Sequence, residues 1–449
     1  MEVGRMIKIN LPKKVNTILH TLMKHGFEAY AVGGCVRDSV LSRIPMDWDI
    51  TTSAKPEQIK KIFPHTIDTG IRHGTVTVML EGESFEVTAY RIDGTYSDGR
   101  HPDKVQFTTN LLEDLKRRDF TINAMAYNDK AGLVDAFDGI GDLHRGMIRC
   151  VGCARERFSE DALRMLRAVR FASQLGFAIE EETSNAIVAL APNLSKVSAE
   201  RIQTELVKLL VSAHPEQLLL ASKLGLTKVF LPEFDVMLRT RQQNVHHCYT
   251  VGEHTLEALK NIAPDKALRL TMLLHDVAKP ECRTTDEAGI DHFYGHPVKG
   301  SEKAKKILRR LKFDNDTISI VAQLVYWHDS MPELTEKGVR KAICKVGTKL
   351  YPALFEVKRA DILAQSRWNR EEKLENLKEY ERIYQRILEK GQCLSVKELA
   401  VTGTDLIAAG MKPGREIGEE LKRLLQLVLE EPEKNTKEQL MNELNLPHI

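Results

Sequence analysis

The chain has 449 residues, of which 42% are hydrophobic. It is therefore long and apolar enough to form more than one hydrophobic core, and it is not a mainly disordered protein. Basic and acidic residues nearly cancel to a formal net charge of +2, so any contact with nucleic acid must come from local basic patches. No apolar run reaches the ~20 residues of a membrane span and no secretion signal stands at the start, so we expect a cytoplasmic protein without a membrane segment.

The periodicity of the sequence changes near residue 150. Before that point, period-two runs predict strands at 28–32, 74–80 and 84–90, mixed with helical segments, so residues 1–147 are predicted to be α/β. After it the period is 3.6, which predicts an almost wholly helical remainder with helices at 160–176, 198–210, 266–276 and 374–389.

A first candidate site begins with Val-Gly-Gly-Cys-Val-Arg-Asp at 32–38, between an apolar strand and a helix. Gly33 and Gly34 have no Cβ, so backbone N–H groups could approach an anion at the start of the helix. An ordinary strand-to-helix turn would give the same pattern.

Two acids follow this turn. Asp47 and Asp49 stand in a short β-like stretch, where period two predicts both carboxylates on one face. Adjacent carboxylates repel, and Mg²⁺ between them would relieve the repulsion, as in two-metal phosphoryl transfer. Glu86, in a later strand, is either a third carboxylate of this set or a strand acid that faces solvent.

Two further blocks are rich in charge. Residues 114–124 form a basic patch that ends in an apolar segment, and a solvated charged face is its simplest interpretation. In the predicted helix 160–176, Asp161 and Arg164 are three residues apart and should share one face. Such a fixed acceptor beside a fixed donor would match the pairing edges of cytosine and adenine and oppose those of guanine and uracil. A surface ion pair is the alternative.

Taken together, the Gly-Gly-Cys-Val-Arg-Asp run, the Asp47/Asp49 pair and Glu86-Val87-Thr88 resemble the class II CCA-adding enzyme and bacterial poly(A) polymerase family. The resemblance implies that Asp47 and Asp49 hold catalytic Mg²⁺ and that Glu86 belongs to the catalytic set. It also implies CTP, ATP and tRNA as binding partners. The nucleotide-binding residues that it implies are Gly33, Gly34, Arg37, Arg118, Asn123, Asp161, Arg164, Arg167 and Arg170. In the family, a loop such as the one predicted at 91–104 accompanies the switch to addition of A.

A second candidate site combines histidines and aspartates that are far apart in the sequence. His254, His275-Asp276, His296, His328 and Asp361 each stand on or beside a predicted helix, and any one alone is more often a core or surface residue. Imidazole with carboxylate suits a transition metal such as Mn²⁺, Ni²⁺ or Co²⁺, which could activate water against a phosphoester.

This second pattern resembles the HD superfamily, whose ligands match His254, His275, Asp276 and Asp361. In tRNA nucleotidyltransferases that carry such a domain, the resemblance implies phosphatase or cyclic phosphodiesterase action on RNA ends, and a purely structural domain is the alternative.

The predicted fold class is therefore α+β, with a nucleotidyltransferase head at 1–147, a helical neck at 148–240 that reads the base, an HD domain at 241–365 and a helical tail at 366–449 that binds tRNA. The predicted activity is template-independent addition of C, C and A to tRNA. A poly(A) polymerase, an RNA-repair phosphohydrolase and a catalytically silent RNA-binding protein are the alternatives.

Overall fold

The computed structural model describes residues 7–94, 105–246 and 248–444, and the chain divides into two compact units, residues 1–232 and residues 233–449. Within those described ranges, no helix combines the length and the apolar character that a bilayer crossing requires. Most of the loop predicted at 91–104 lies outside the described residues. The finer division into head, neck, HD domain and tail stays a prediction.

The first unit contains a seven-stranded mixed sheet and two small strand pairs. Its strands are β1 (Ala29–Val32), β2 (Ile50–Thr52), β3 (Thr66–Gly70), β4 (Thr75–Leu80), β5 (Glu83–Ala89), β6 (Arg91–Asp93), β7 (Val105–Phe107), β8 (Met125–Asn128), β9 (Gly132–Asp135), β10 (Met147–Ile148) and β11 (Ala178–Ile179). The large sheet has the order β3-β4-β5-β2-β1-β8-β9, in which β2 and β5 run parallel and the other neighbours antiparallel. The predicted strands at 28–32, 74–80 and 84–90 correspond to β1, β4 and β5.

The helices of the first unit are α1 (Lys13–Lys24), α2 (Gly34–Val40), α3 (Pro56–Ile62), α4 (Leu111–Lys116), α5 (Gly139–Arg145), α6 (Ala154–Glu160), α7 (Leu163–Leu175), α8 (Glu181–Leu190), α9 (Ala199–Leu210), α10 (Leu218–Lys223) and α11 (Thr227–Phe230). Helices α1 to α5 alternate along the chain with the strands of this sheet, and helices α6 to α11 follow as a mainly helical segment. Alternation along β4 and β5 turns Val76, Val78 and Val87 toward the apolar residues of α1 and α3. Tyr90 and Leu115 belong to a separate core cluster.

The helix predicted at 160–176 is interrupted. α6 ends at Glu160 and α7 begins at Leu163, and Asp161 between them has an extended backbone with φ −146° and ψ 104°. Its carboxylate Oδ1 accepts the N–H of Leu163 at 3.0 Å. Aspartate competes in this way for backbone donors at helix starts, which is why the 3.6 period alone did not reveal the break.

The second unit is almost wholly helical, which confirms the predicted α+β class. Its helices are α12 (Pro232–Arg239), α13 (Val251–Lys260), α14 (Lys266–Leu274), α15 (Lys279–Cys282), α16 (His296–Arg310), α17 (Asn315–Trp327), α18 (Glu336–Val346), α19 (Tyr351–Ala364), α20 (Arg370–Glu389), α21 (Gly403–Ala408), α22 (Arg415–Glu430) and α23 (Lys437–Asn442). A short hairpin joins β12 (Thr284–Thr285) to β13 (Asp291–His292). One hydrophobic core extends from Leu324 on α17 to Leu440 on α23, through Leu354, Leu406 and Leu424.

Candidate functional site

The paired acids of the first unit lie just before a strand, not within one as predicted. β2 begins at Ile50, and Asp47 and Asp49 stand in the irregular segment that precedes it. The Asp49 carbonyl still accepts the N–H of Val32 at 3.0 Å, so the backbone of Asp49 is already aligned with β1. Ile50 points into the core below α1 and α3, and alternation directs Asp49 to the opposite face.

Electrostatics link these two acids to Glu86 on β5. Partial desolvation by the surrounding protein raises the pKa of Asp49, Arg118 acts in the opposite direction, and Asp47 raises it further. Desolvation also raises the pKa of Glu86, and the charges of Asp49 and Asp47 add to that effect. All three residues remain open to solvent at their surfaces. The structure therefore brings the three predicted carboxylates together in an accessible cluster.

This cluster fits a hard divalent cation. Oxygen ligands from several carboxylates are what Mg²⁺ prefers, and the repulsion between these like charges becomes attraction to a cation once one lies among them. Asp47 and Asp49 are the pair best suited to hold the ion, since both stand in the same short segment.

Arg118 lies beside the glycine turn that begins α2. Gly33 has φ +83°, and a Cβ built on it would lie 3.0 Å from Nη1 of Arg118. The other terminal nitrogen, Nη2, is 3.6 Å from Oδ2 of the buried Asp114. Arg118 is therefore close both to the glycine turn and, by its effect on the pKa of Asp49, to the acidic cluster.

A chain of buried hydrogen bonds links side chains beneath this site. Arg37 donates through Nη1 to Oδ1 of Asn123 at 2.7 Å, and Asn123 donates through Nδ2 to Oδ1 of Asp119 at 3.1 Å. The other Asp119 oxygen accepts Nε and Nη2 of Arg167 at 2.9 and 2.5 Å. Burial alone would raise the pKa of Asp119, but Arg167 and Asn123 hold it below its ordinary value. Asp119 was not predicted as a site residue, although it stands within the predicted basic block.

The aromatic ring of Phe171 lies at the centre of three arginines. The guanidinium carbons of Arg37, Arg167 and Arg170 lie 5.1, 5.5 and 3.8 Å from its ring centroid. Arg170 is buried and also donates to Glu205 on α9. Arg37, Arg167 and Arg170 thus share one structural support, and their predicted contacts with nucleotide stay predictions.

The predicted base-reading pair has different partners from those expected. Asp161 receives two bonds from Arg201 of α9, at 3.2 and 2.7 Å. Arg164 donates through Nη1 to Oε2 of Glu160 at 2.5 Å and through Nη2 to the Arg117 carbonyl at 3.3 Å. The two side chains therefore do not share one helix face, because Asp161 precedes α7.

The second candidate site brings four histidines and two aspartates together in the second unit. Nε2 of His254 is 3.2 Å from Nε2 of His275 and 2.8 Å from Oδ1 of Asp361. Nε2 of His275 is 3.2 Å from Oδ2 of Asp276. The four predicted ligands His254, His275, Asp276 and Asp361 are thus in one cluster.

Two residues that were noted in the sequence but not assigned as ligands complete the cluster. Nε2 of His296 and Nε2 of His328 are 3.3 Å apart. They lie 3.5 and 3.7 Å from Oδ1 of Asp276, the oxygen that faces away from His275. Asp276 therefore stands between two groups that could each hold a metal ion. The signal in the sequence was the repeated His-Asp pair at a helix end, His275-Asp276 and His328-Asp329.

The hydrogen bonds of the imidazole rings indicate what this cluster can bind. Nδ1 of His275, His296 and His328 lies 2.7 to 2.8 Å from a backbone carbonyl, which can only accept, so Nδ1 is the protonated nitrogen. In the neutral ring Nε2 then carries a lone pair, which points at the other rings and at Asp276. Such converging lone pairs and carboxylates could hold a cation among them.

The Asp276 oxygens agree with this interpretation. Among the described residues, neither oxygen has a hydrogen bond of satisfactory geometry, although Nζ of Lys279 lies 2.8 Å from Oδ2 as an ion pair. Burial alone would lower the pKa of His275, but Asp276 and Asp361 raise it to about 10. A proton can therefore neutralise the cluster, and a transition metal would displace it on binding.

Comparison with known proteins gives consistent matches along the chain. A family model for the poly A polymerase head domain matches residues 29–149. Models for an RNA- and SrmB-binding site of polymerase A and for tRNA nucleotidyltransferase domain 2 match residues 176–238 and 296–444.

Curated relatives match over nearly half of the chain. CCA-adding enzymes of Lactobacillus delbrueckii and Ligilactobacillus salivarius are 56% identical over 200 residues and 53% identical over 215 residues. These matches cover 44% and 47% of this chain and 50% and 53% of the relatives, so the chain spans about half the length of the curated relatives it matches.

Solved structures match over nearly the whole chain. The CCA-adding enzyme of Bacillus stearothermophilus in complex with CTP is 30% identical, with a TM-score of 0.70 over 95% of this chain and 94% of that chain. The Thermotoga maritima CCA-adding enzyme, complexed with tRNA, is 21% identical with a TM-score of 0.56 over 96% of this chain and 95% of that one, and shares the fold.

Proposed function

The chain belongs to the family of CCA-adding enzymes and poly(A) polymerases, and on that premise we propose that it adds C, C and A to the 3′ end of tRNA. The substrates are CTP and ATP, and pyrophosphate is released. The observation that carries the proposal is the accessible cluster of Asp47, Asp49 and Glu86 beside Arg118. Ile50 pairs with Val87 across β2 and β5, so the preceding residues, Asp49 and Glu86, are neighbours.

In this proposal Asp47 and Asp49 hold Mg²⁺, with Glu86 nearby. The ion, when bound, supplies positive charge for attack of an RNA 3′-hydroxyl on the α-phosphate and for departure of pyrophosphate. Arg118 contacts the triphosphate, because its guanidinium lies beside the glycine turn at Gly33 and its charge acts on Asp49. Arg37 and Asn123 orient the other wall of the site through the Asp119 network.

Choice of base is assigned to Asp161 and Arg164, which stand at the break between α6 and α7 and in the first turn of α7 and not on one helix face. Arg201 and Glu160 fix the orientation of their side chains, so a base edge meets an acceptor and a donor that do not need to reorganise. Cytosine and adenine present a donor and an acceptor that fit such a pair, whereas guanine and uracil would leave buried polar groups unpaired.

The decisive experiment supplies tRNA that lacks its 3′ end with CTP, ATP or both, and sequences the products. We expect addition that stops after C, C and A, and loss of all incorporation in Asp47→Ala and Asp49→Ala. Long runs of A from ATP alone would instead identify a poly(A) polymerase. Unchanged incorporation by both alanine variants would show that Asp47 and Asp49 are not the catalytic site.

A second function is proposed for the cluster of His254, His275, Asp276, His296, His328 and Asp361, namely metal-dependent phosphohydrolysis at RNA ends. Its support is the convergence of Nε2 lone pairs on both oxygens of one buried carboxylate. These ligands suit Mn²⁺, Ni²⁺ or Co²⁺, which in such a site supply an activated water for attack on a phosphoester.

The metal content of purified protein tests this second function. With two ions sharing Asp276, His328→Ala should lose one bound ion and His254→Ala should weaken the other, whereas the exposed His144→Ala should retain both. Phosphoester hydrolysis should disappear in the first two variants while CCA addition continues. Equal metal content in all three variants would exclude the cluster as the metal centre.

A further inference from the structure

The cavity above the histidine cluster is larger than a phosphoryl group needs. It has a volume of about 630 Å³ and is lined by His296, His328 and Asp361 of the cluster and by residues outside it. The cavity therefore has room for a group attached to the phosphate.

Cationic side chains line the same cavity. Lys358 donates to the carbonyls of His328 and Ser330 at 2.7 and 2.6 Å, and Lys373 donates to Oε1 of Gln365 at 2.7 Å. Both ammonium groups are thus held at the wall of the cavity. Fixed positive charge next to a metal-binding cluster suits an anionic ligand such as a phosphate ester.

A pair of stacked rings forms another wall. The rings of His292 and Tyr294 are nearly parallel, with an interplanar angle of 6° and centroids 5.4 Å apart. Nε2 of His292 is 2.8 Å from Oδ2 of Asp286, which fixes the ring that lies next to Tyr294. Tyr294 is 78% exposed, so most of its ring surface is open to a ligand.

The hairpin that ends at His292, two residues before Tyr294, is anchored firmly. Asp291, the residue before His292, accepts bonds from Arg283 at 3.0 Å and from Thr285 at 2.7 Å. Its other oxygen accepts the N–H of Gln243 at 2.8 Å. An exposed aromatic ring on a rigid support is a good stacking surface for an unpaired base, because little conformational freedom is lost on binding.

We propose that Tyr294, supported by His292, is a stacking platform for the base of a nucleotide whose phosphate lies at the histidine cluster. The ligand class is an RNA end with an unpaired terminal base and a terminal phosphate. This assignment rests on the phosphohydrolase function proposed for the cluster, and it makes Tyr294 a specificity residue.

The test compares two phosphate monoesters in the full-length, Mn²⁺-loaded protein: adenosine 3′-phosphate, which has a base, and glycerol 2-phosphate, which has none. Loss of one stacked base corresponds to roughly a five- to 150-fold weaker interaction. Tyr294→Ala should raise KM for the adenosine ester by that factor and leave KM for the glycerol ester within about twofold. Tyr294→Phe, which keeps the ring, and Tyr326→Ala, a control at another exposed tyrosine, should both behave as the parent.

A binding measurement separates the platform from the hydrolytic function. A short oligoribonucleotide ending in 2-aminopurine and a 3′-phosphate is titrated with excess CTP present to occupy the first site, and its fluorescence should fall on stacking. We expect quenching by the parent and by Tyr294→Phe, and its loss in Tyr294→Ala. Equal quenching by all variants, or equal changes in KM for both esters, would overturn the platform. Quenching without hydrolysis of either ester would overturn only the phosphohydrolase function.

Discussion

Replacing Arg167 with methionine removes one partner of the buried ion pair below the first site. Two nitrogens of Arg167 donate to the same oxygen of Asp119, at 2.9 and 2.5 Å. The Asp119 side chain is 9% exposed, and it keeps the bonds from Phe120 N–H and Asn123 Nδ2 to its other oxygen. The variant therefore leaves a buried carboxylate with only part of its charge compensated.

The expected loss follows from the burial of the pair. Removal of one partner of a buried ion pair costs about 3–5 kcal/mol, and each hydrogen bond to a charged group contributes about 1.5–3 kcal/mol. The Arg167 side chain is 33% exposed, so water compensates part of the loss. We expect the free energy of unfolding of the first unit to fall by about 3 kcal/mol.

A double variant provides the matched control. Asp119→Asn removes the charge that Arg167 neutralises, so Arg167→Met with Asp119→Asn should be at least about 1 kcal/mol more stable than the sum of the two single losses implies. Urea unfolding can be followed by Trp48 in the first unit, in a background where Trp327 and Trp368 are phenylalanine. Strictly additive losses, or a loss below about 1 kcal/mol for Arg167→Met, would refute the reasoning.

The same pair predicts how stability depends on acid. Burial would raise the pKa of Asp119, but Arg167 holds it below the ordinary value, so the folded state favours the ionised form. The stabilisation is fully present above the unfolded pKa of about 3.9 and is lost as pH falls through the lower folded pKa. Asp119→Asn should therefore flatten the acid side of the stability profile below about pH 4.

Three further perturbations test other parts of the molecule. Glu86→Gln should slow CCA addition by about tenfold or more. It should also move the acid side of the pH–rate profile to lower pH, because activity no longer depends on deprotonation of Glu86, whose pKa is raised. An unchanged profile would contradict this. Burial lowers the pKa of Lys358 to about 8, so the free energy of unfolding should rise with pH between about 8 and 10.5, by up to roughly 3 kcal/mol, as the charged form is lost. Lys358→Met should abolish that rise when unfolding is measured at pH 8 and at pH 10. Gly33→Ala should raise KM for CTP because its Cβ would meet Arg118, whereas Gly82→Ala, which has a similar positive φ and open space around it, should leave KM unchanged.

Much of the first site was recognisable from residues that are close in sequence. The glycine turn, the acids at 47 and 49 and the basic block at 114–124 are short runs, and their local chemistry predicted an anion-binding turn and a metal-binding pair. The prediction that Asp47 and Asp49 lie in a strand was wrong, because β2 begins one residue later, yet the two acids still interact. Local chemistry was thus a better guide to this site than the exact boundary of an element.

Long-range partners could not be predicted in the same way. Arg37 and Asn123 are 86 residues apart in sequence, and Asp119 and Arg167 are 48 apart. No periodicity links such pairs, because their contact exists only after the sheet and α7 have packed. The break at Asp161 is similar, since its extended backbone is stabilised by Arg201 of a separate helix.

The amino-acid sequence by itself determined the α+β class and the residue types at both candidate sites, because periodicity and short motifs depend on neighbours along the chain. Only the tertiary structure decided that His296 and His328 join the side-chain cluster of the second site. It also decided that one carboxylate, Asp276, faces two pairs of imidazoles. The physical reason is that the rings come from separate helices, so the direction of each Nε2 is fixed by backbone carbonyls that folding brings into place.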